Sequence, residues 1–418
     1  MNAGFAEIEI TPPLGTRKIG WIREILGDRI GDPLYARAAA FESKGARLGV
    51  IQADTLSVRR RDLLEIRKRI EARYGFPGAQ IMMAATHNHA GPAVASIGDV
   101  RREDGYMQTF IEKCVSCFGQ GLERLGPAEL GFGSTSEFRV GFNRRIVMRD
   151  GTVKTHGRFP DPEALYVEGP IDPEVAVIAA RKPSGEMLGA LVNFACHPAH
   201  HGGDTVFSAG WPGQLANELK ARGCPCPMFI NGAQGNISTS EPARNGADQD
   251  MQTIGKLLGE NVGQLLSKLV WRKDAHFESR AKTIELPFRK PSAEEIAGKI
   301  RGAQRFIDPT LYDKHMPEVL AKMEARGAQK AEVQAFLIDE FALVAMPCEL
   351  FVELGLDLKA RAYPKRALVF GLANGMLGYV PHRAAFDGGG YETTFCGWSN
   401  LAPEAGDLLI DAAVKLLA

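Results

Sequence analysis

Nine histidines are distributed over 418 residues, and five of them fall in two short stretches. His87 and His89 stand in ATHNHAGP, and His197, His200 and His201 in CHPAHHGGD. Side chains two apart share a face of extended backbone, so a strand running through Asn88 aims His87 and His89 into one crevice. Two imidazoles so placed can hold one zinc, or one can ligate while its neighbour handles protons. The same pair can equally cap a strand by bonding to loops, and the HxH spacing does not choose. One of His197, His200 and His201 is a candidate third ligand. Glu349, in MPCELFVE, adds a carboxylate and completes a nitrogen-rich set that suits zinc, although it also reads as the first-turn acid of a following helix. In NGAQGNIS, Asn231, Gly232 and Gln234 lie among small residues that let backbone N–H groups approach a substrate, or that simply make a tight strand-to-helix turn. His156, in GTVKTHGRF, is read as lying outside any such site, and His276 and His315 as surface residues.

These residues follow apolar runs of strand length. Strands are expected at 47–55, 79–85, 187–195, 227–231, 341–347 and 367–373, and helices at 61–74, 213–221, 250–269, 317–336 and 350–362. Hairpin signals at MRDGT and KPSGE add antiparallel pairs. The fold class is therefore α/β: a mixed β-sheet core, as one sheet or two packed sheets, flanked by helices. In such folds ligands bind beyond the carboxyl ends of strands, and five of the expected strand ends carry THNHAGP, CHPAHHGGD, NGAQGNIS, MPCELFVE and LANGMLGYVPH. One shared metal site at the strand ends is the expectation. The chain reads as a single catalytic domain over 1–418, with a helical insertion or cap at about 290–338 and no internal repeat.

Fifty basic and fifty acidic residues cancel, which gives no support to a nucleic-acid partner. The start, MNAGFAEIEITPPLG, has no basic segment followed by an apolar one, and no apolar run approaches membrane-spanning length. Seven cysteines at no framework spacing suit a reducing compartment. Cys114 and Cys117, three apart in an amphipathic run, read as small buried hydrophobes, and Cys224 and Cys226 receive no metal role. A cytoplasmic protein with a small-molecule substrate and no stable membrane association is expected. Oligomeric state is not legible.

Taken in order, ATHNHAGP, Asn143-Arg144, LVNFACHP, FINGAQGNIS, MPCELFVELG and GLANGMLGYVPHRAAFDGGGYE resemble the neutral/alkaline ceramidase family, zinc-dependent amidases that cleave N-acyl sphingosine. The resemblance runs from about Phe5 to Tyr391. It implies one zinc per chain held by His87, His197, Glu349 and Tyr379. It also implies that His89, Arg144 and Tyr391 surround the reacting carbonyl, His89 moving protons while Arg144 and Tyr391 donate to the developing oxyanion.

Against that family's pattern, a loop serine falls on Gly232, no C-terminal immunoglobulin-like domain follows the zinc motifs, and no secretion signal is visible. The resulting expectation is a zinc-dependent hydrolase that cleaves an amide, cyclic ones included, or an ester of a small polar molecule by metal-activated water. The alternatives are a true ceramidase acting on N-acyl sphingosine, and a zinc-containing binding protein without catalysis.

Overall fold

The structure, a computed structural model, describes residues 1–243 and 249–418. Its main elements fall into three units of like topology, each running strand, strand, strand, helix, strand, helix, with one further helix after the first strand of the third. The first is β1 (Asn2–Glu9), β2 (Tyr35–Ser43), β3 (Ala46–Ala53), α1 (Arg60–Tyr74), β4 (Ile81–Ala85) and α2 (Asp104–Glu123). The second is β5 (Glu129–Ser136), β6 (Glu174–Arg181), β7 (Met187–Phe194), α3 (Gly210–Ala221), β8 (Pro227–Asn231) and α4 (Met251–Leu266). In the third, β9 (Phe277–Pro287) is followed by α5 (Pro309–Arg326), then β10 (Ala328–Ile338), β11 (Phe341–Met346), α6 (Val352–Arg361), β12 (Arg366–Gly371) and α7 (Ala405–Leu417).

In every unit the first three strands pair antiparallel and the fourth joins the third in parallel, with the helix as crossover. The core is thus three mixed sheets rather than one or two, and a structural repeat exists where the sequence showed none. β4 (IMMAA), β8 (PMFIN) and β11 (FALVAM) are buried along their whole length, as expected for parallel strands covered on both faces.

The inner faces of the three sheets form one apolar cluster containing Phe41, Met82, Ile178, Met228, Phe336 and Phe370. The outer faces pack on α1 and α2, on α3 and α4, and on α6 and α7. Helix α1 shows why: Leu63, Ile66 and Ile70 recur at helical spacing and are fully buried, and Gly75, at φ 63°, ends the helix by donating to Glu71 O.

The helix expected over 317–336 is two different elements. Asp308 caps α5 at Thr310 N, Pro309 occupies its first turn, and Gly327, at φ 69°, terminates it. Residues 328–338 then form β10, buried between β9 and β11. The connection between the first and second strands is long in every unit, at 10–34, 137–173 and 288–327, and the first two carry short strands where the third carries α5.

Strands β4, β8 and β12 pack against one another near the middle of the molecule. Ala85 N–H donates to Leu372 O at 3.2 Å, and the Asn231 side chain donates to Thr86 O at 3.2 Å. The approach is close enough that a Cβ on Gly371 would lie 2.3 Å from Gly232 O. This convergence brings the loops beyond the strands to one place.

Candidate metal centre

His87 and His89 follow β4, but not as an extended pair. The strand ends at Ala85, and His87 adopts φ 69°. The cause is local: Thr86 N–H donates to Ala53 O, and both His87 and Asn88 N–H groups donate to Thr55 O, which curls the chain over the end of β3. Asn88 holds the next turn by accepting from Ala90 N–H at 2.7 Å. The two imidazoles nevertheless meet, Nε2 to Nε2 at 3.3 Å.

His197 comes from the loop after β7. Of the three histidines in that stretch it alone enters the site. His200 Nε2 bonds Gln249 O at 2.7 Å, and His201 pairs with Asp204 at 2.7 Å. Glu349 follows β11 in a two-residue strand pairing Glu349–Leu350 with Tyr379–Val380 in parallel, and its N–H donates to Gly378 O. Its Oε2 lies 3.2 Å from His87 Nε2 and 3.2 Å from His197 Nε2. The third strands of units two and three and the fourth strand of unit one therefore supply the cluster.

The outer partners of the rings fix its chemistry. His87 Nδ1 meets Leu56 O at 2.9 Å, His89 Nδ1 meets Gly20 O at 3.0 Å, and His197 Nδ1 meets Gln234 O at 2.8 Å and Ile237 O at 3.0 Å. A carbonyl can only accept, so each Nδ1 carries the proton and each Nε2 presents a lone pair. The potential ligand atoms of His87, His89 and His197 all lie within 4.8 Å of one another. Burial, then the neighbouring imidazoles, pushes His89 well below the ordinary histidine range, and burial followed by Arg144 lowers His197 to about 4. Burial opposes the Glu349 charge, and the carboxyl is held well below its usual range only when its His87 and His197 side carries positive charge. Lone pairs and a carboxylate converging without a proton between them repel unless a cation sits among them. That donor set fits a divalent metal, each ring oriented from behind by a carbonyl.

Tyr379 stands at one side of the cluster, its ring stacked 6.5 Å from that of His197. Its hydroxyl accepts from Arg144 Nη2 at 3.1 Å, while burial and the Glu349 carboxylate push the phenol well above its ordinary range. Tyr391 packs edge-on to Tyr379 at 5.7 Å. Arg144 is buried, and besides Tyr379 it donates to Gly235 O and to Glu392, both at 2.8 Å. Asn231 is fully engaged with backbone, at Thr86 O, Cys196 O and Cys196 N–H. Gly232 is packed: a Cβ there would lie 2.9 Å from that of Ala195. Gln234 differs from both, because its side-chain amide is buried with neither end bonded. His156 is exposed on the surface.

One residue of consequence is absent from the sequence reading. Glu392 is wholly buried and accepts from Arg144, from Arg145 at 2.9 Å and from Thr155 at 2.6 Å. Arg145 also pairs with Glu168. The signals were the Arg-Arg pair at 144–145 and the acid directly after Tyr391.

No family model matches the chain. A neutral ceramidase of Pseudomonas aeruginosa is 25% identical over 175 residues, which are 39% of this chain and 24% of that protein. The chain thus aligns in sequence with about a quarter of the length of this curated relative. A crystal structure of neutral ceramidase from Pseudomonas aeruginosa superposes with a TM-score of 0.77 at 18% identity, covering all of this chain and 74% of that one. A ceramidase complexed with C2 gives 0.75 at 17%, with the same coverage. At these identities the superpositions establish a shared fold.

Proposed function

We propose that the chain is a member of the neutral/alkaline ceramidase family, as the partial sequence match and the shared fold support, and that it is a zinc-dependent hydrolase cleaving the amide of an N-acyl compound. The observation that carries the reading is the convergence of the His87 and His197 Nε2 atoms on the Glu349 carboxylate, with His89 Nε2 3.3 Å from His87 Nε2 and each ring fixed by a carbonyl behind it. Imidazole and carboxylate donors favour zinc over harder cations. His87, His197 and Glu349 would hold it, with the Tyr379 hydroxyl completing the set.

Zinc, when bound, lowers the pKa of water to about 7 and polarises a carbonyl. His89 is placed to take a proton at Nε2 and return it to the leaving amine, since Gly20 O holds its other nitrogen. Tyr391 would donate to the carbonyl oxygen. Arg144 acts through Tyr379, whose hydroxyl it positions and whose charge it would stabilise. The unbonded Gln234 amide is available to the substrate amide, whereas Asn231 and Gly232 serve the loop.

An N-acyl substrate is better supported than the small polar one expected from the sequence, because the structural relatives are ceramidases and a cavity with an apolar floor lies beside the centre. Among the described residues no helix is long and apolar enough to cross a membrane. All seven cysteines are free and buried, which supports a reducing compartment such as the cytoplasm. The test is a hydrolysis panel of N-acyl amides with short and long chains, N-acyl sphingosine included, run with and without zinc. Turnover of long-chain amides that disappears on chelation and returns with zinc supports the reading, and its absence across the panel refutes it.

A further inference from the structure

A cavity of about 200 Å³ lies beside the metal centre, between α5 and the loops that follow β3 and β4. It shares its wall with the site. Leu56, whose carbonyl orients His87, Gly378, which precedes Tyr379, and Trp398, whose carbonyl accepts from Tyr379 N–H, all line it. Its floor is apolar, built from Ile22 and from Leu311 and Met316 of α5.

The rim is cationic. Arg59, Arg101, Lys322 and Arg326 border the cavity, and Glu318 is the one carboxylate among its lining residues, bonded to Lys322 at 2.6 Å. In a chain whose charges cancel overall, four cations against one acid is a local excess. Arg59 is the most costly of them. It stands at the N-cap position of α1, its side chain making no capping hydrogen bond, and is followed there by Arg60 and Arg61, where the helix dipole disfavours positive charge. Burial, then Arg326 and Arg61, works against its protonated form. Its guanidinium makes no ion pair among the described residues, and the nearby Asp62 is engaged by Arg102 at 2.8 Å. In the same wall the Trp398 indole N–H is buried without an acceptor. Unfavourable, half-buried positive charge above an apolar floor has a natural complement, an anion joined to an apolar chain.

We propose that this cavity binds an anionic amphiphile, an apolar chain carrying a carboxylate, sulfate or phosphate, with the chain on the Ile22–Leu311–Met316 floor and the acid group at Arg59 and Arg326. The second half of the proposal rests on the hydrolase reading: the amphiphile is the substrate, so the amide that is cleaved carries an acid group, which N-acyl sphingosine lacks.

Titration calorimetry of the full chain with octanoate, octyl sulfate and octyl phosphate below their micellar ranges, against 1-octanol and octyltrimethylammonium, tests the site. At least one anion is expected to bind tenfold or more tighter than octanol, and the order among the three identifies the acid. Arg59→Met should weaken that anion at least fivefold and leave octanol unchanged. Arg326→Met, on the exposed side of α5, should act in the same direction, and it carries the test if the Arg59 variant does not fold. Octanol binding as tightly as every anion, or anion affinity unmoved by both substitutions, overturns the site. Each titration is run on zinc-loaded and on chelated protein, beside hydrolysis of N-acyl amides with and without a terminal carboxylate. Binding without any hydrolysis would sink the hydrolase reading and leave the site standing, while hydrolysis indifferent to the carboxylate would sink the substrate assignment alone.

Discussion

Replacing Glu392 with glutamine removes the carboxylate that Arg144 and Arg145 share while keeping its shape. The side chain has no solvent exposure and accepts from Arg144 at 2.8 Å, Arg145 at 2.9 Å and Thr155 at 2.6 Å. Arg145 retains Glu168, but Arg144 has no second ion pair among the described residues. Leaving a buried charge without its partner costs about 3–5 kcal/mol. Linkage gives a similar figure. Burial alone would raise the Glu392 pKa, yet Arg144, Arg145 and Thr155 bring it from 4.5 to about 2. That displacement of about 2.5 pH units, at 1.36 kcal/mol each, corresponds to about 3.4 kcal/mol. A depressed carboxyl contributes its stability above the unfolded pKa and loses it as pH falls from about 4.5 towards 2, so roughly 1.4 kcal/mol remains at pH 3. An unfolding entropy of about 2.1 cal/mol/K per residue amounts to about 0.9 kcal/mol/K for this chain, so Glu392→Gln should lower Tm by about 3–6 °C at pH 7. Calorimetry and urea unfolding of both proteins from pH 7 to pH 3 measure this. A loss below about 1 °C, or a gap that does not narrow with acid, would refute the clamp.

Further outcomes follow from the same geometry. His89→Ala should keep zinc yet lose about 10²–10⁴-fold in turnover, as read by metal analysis beside the amide assay; unchanged turnover would remove His89 from the chemistry. Gly232→Ser should cost about 1–3 kcal/mol in urea unfolding through overpacking and add no activity, because the new Cβ would lie 2.9 Å from that of Ala195. Free zinc at about a hundred times its Kd should stabilise the chelated protein by about 2.7 kcal/mol, and a Tm that ignores zinc would count against a preformed site.

The parallel strands were legible because burial on both faces leaves near-continuous apolar runs such as PMFIN and FALVAM. The threefold repetition was not, since it lies in strand pairing and helix placement while the site loops, THNH, CHPAHH and PCEL, share no pattern. The helix expected over 317–336 runs past Gly327 into strand because AEVQAFLI, buried along its whole length, has no alternation to separate strand from helix. His87 and His89 converge, though through a left-handed turn drawn in by the end of β3 rather than by extended geometry. Spacing could not select His197 over His200 and His201. The choice rests on Gln234 O and Ile237 O, which lie some forty positions away along the chain. Glu392 is one of fifty acidic residues, and only folding sets it against two buried arginines.

The central claim, that His87, His197 and Glu349 form a zinc site, is tested most directly by metal analysis of gently purified wild type, His87→Ala and Glu349→Gln. About one zinc per chain in the wild type and almost none in either variant is the expected result. A wild type holding less than about half an equivalent that zinc addition does not fill, or variants that keep their zinc, would contradict it.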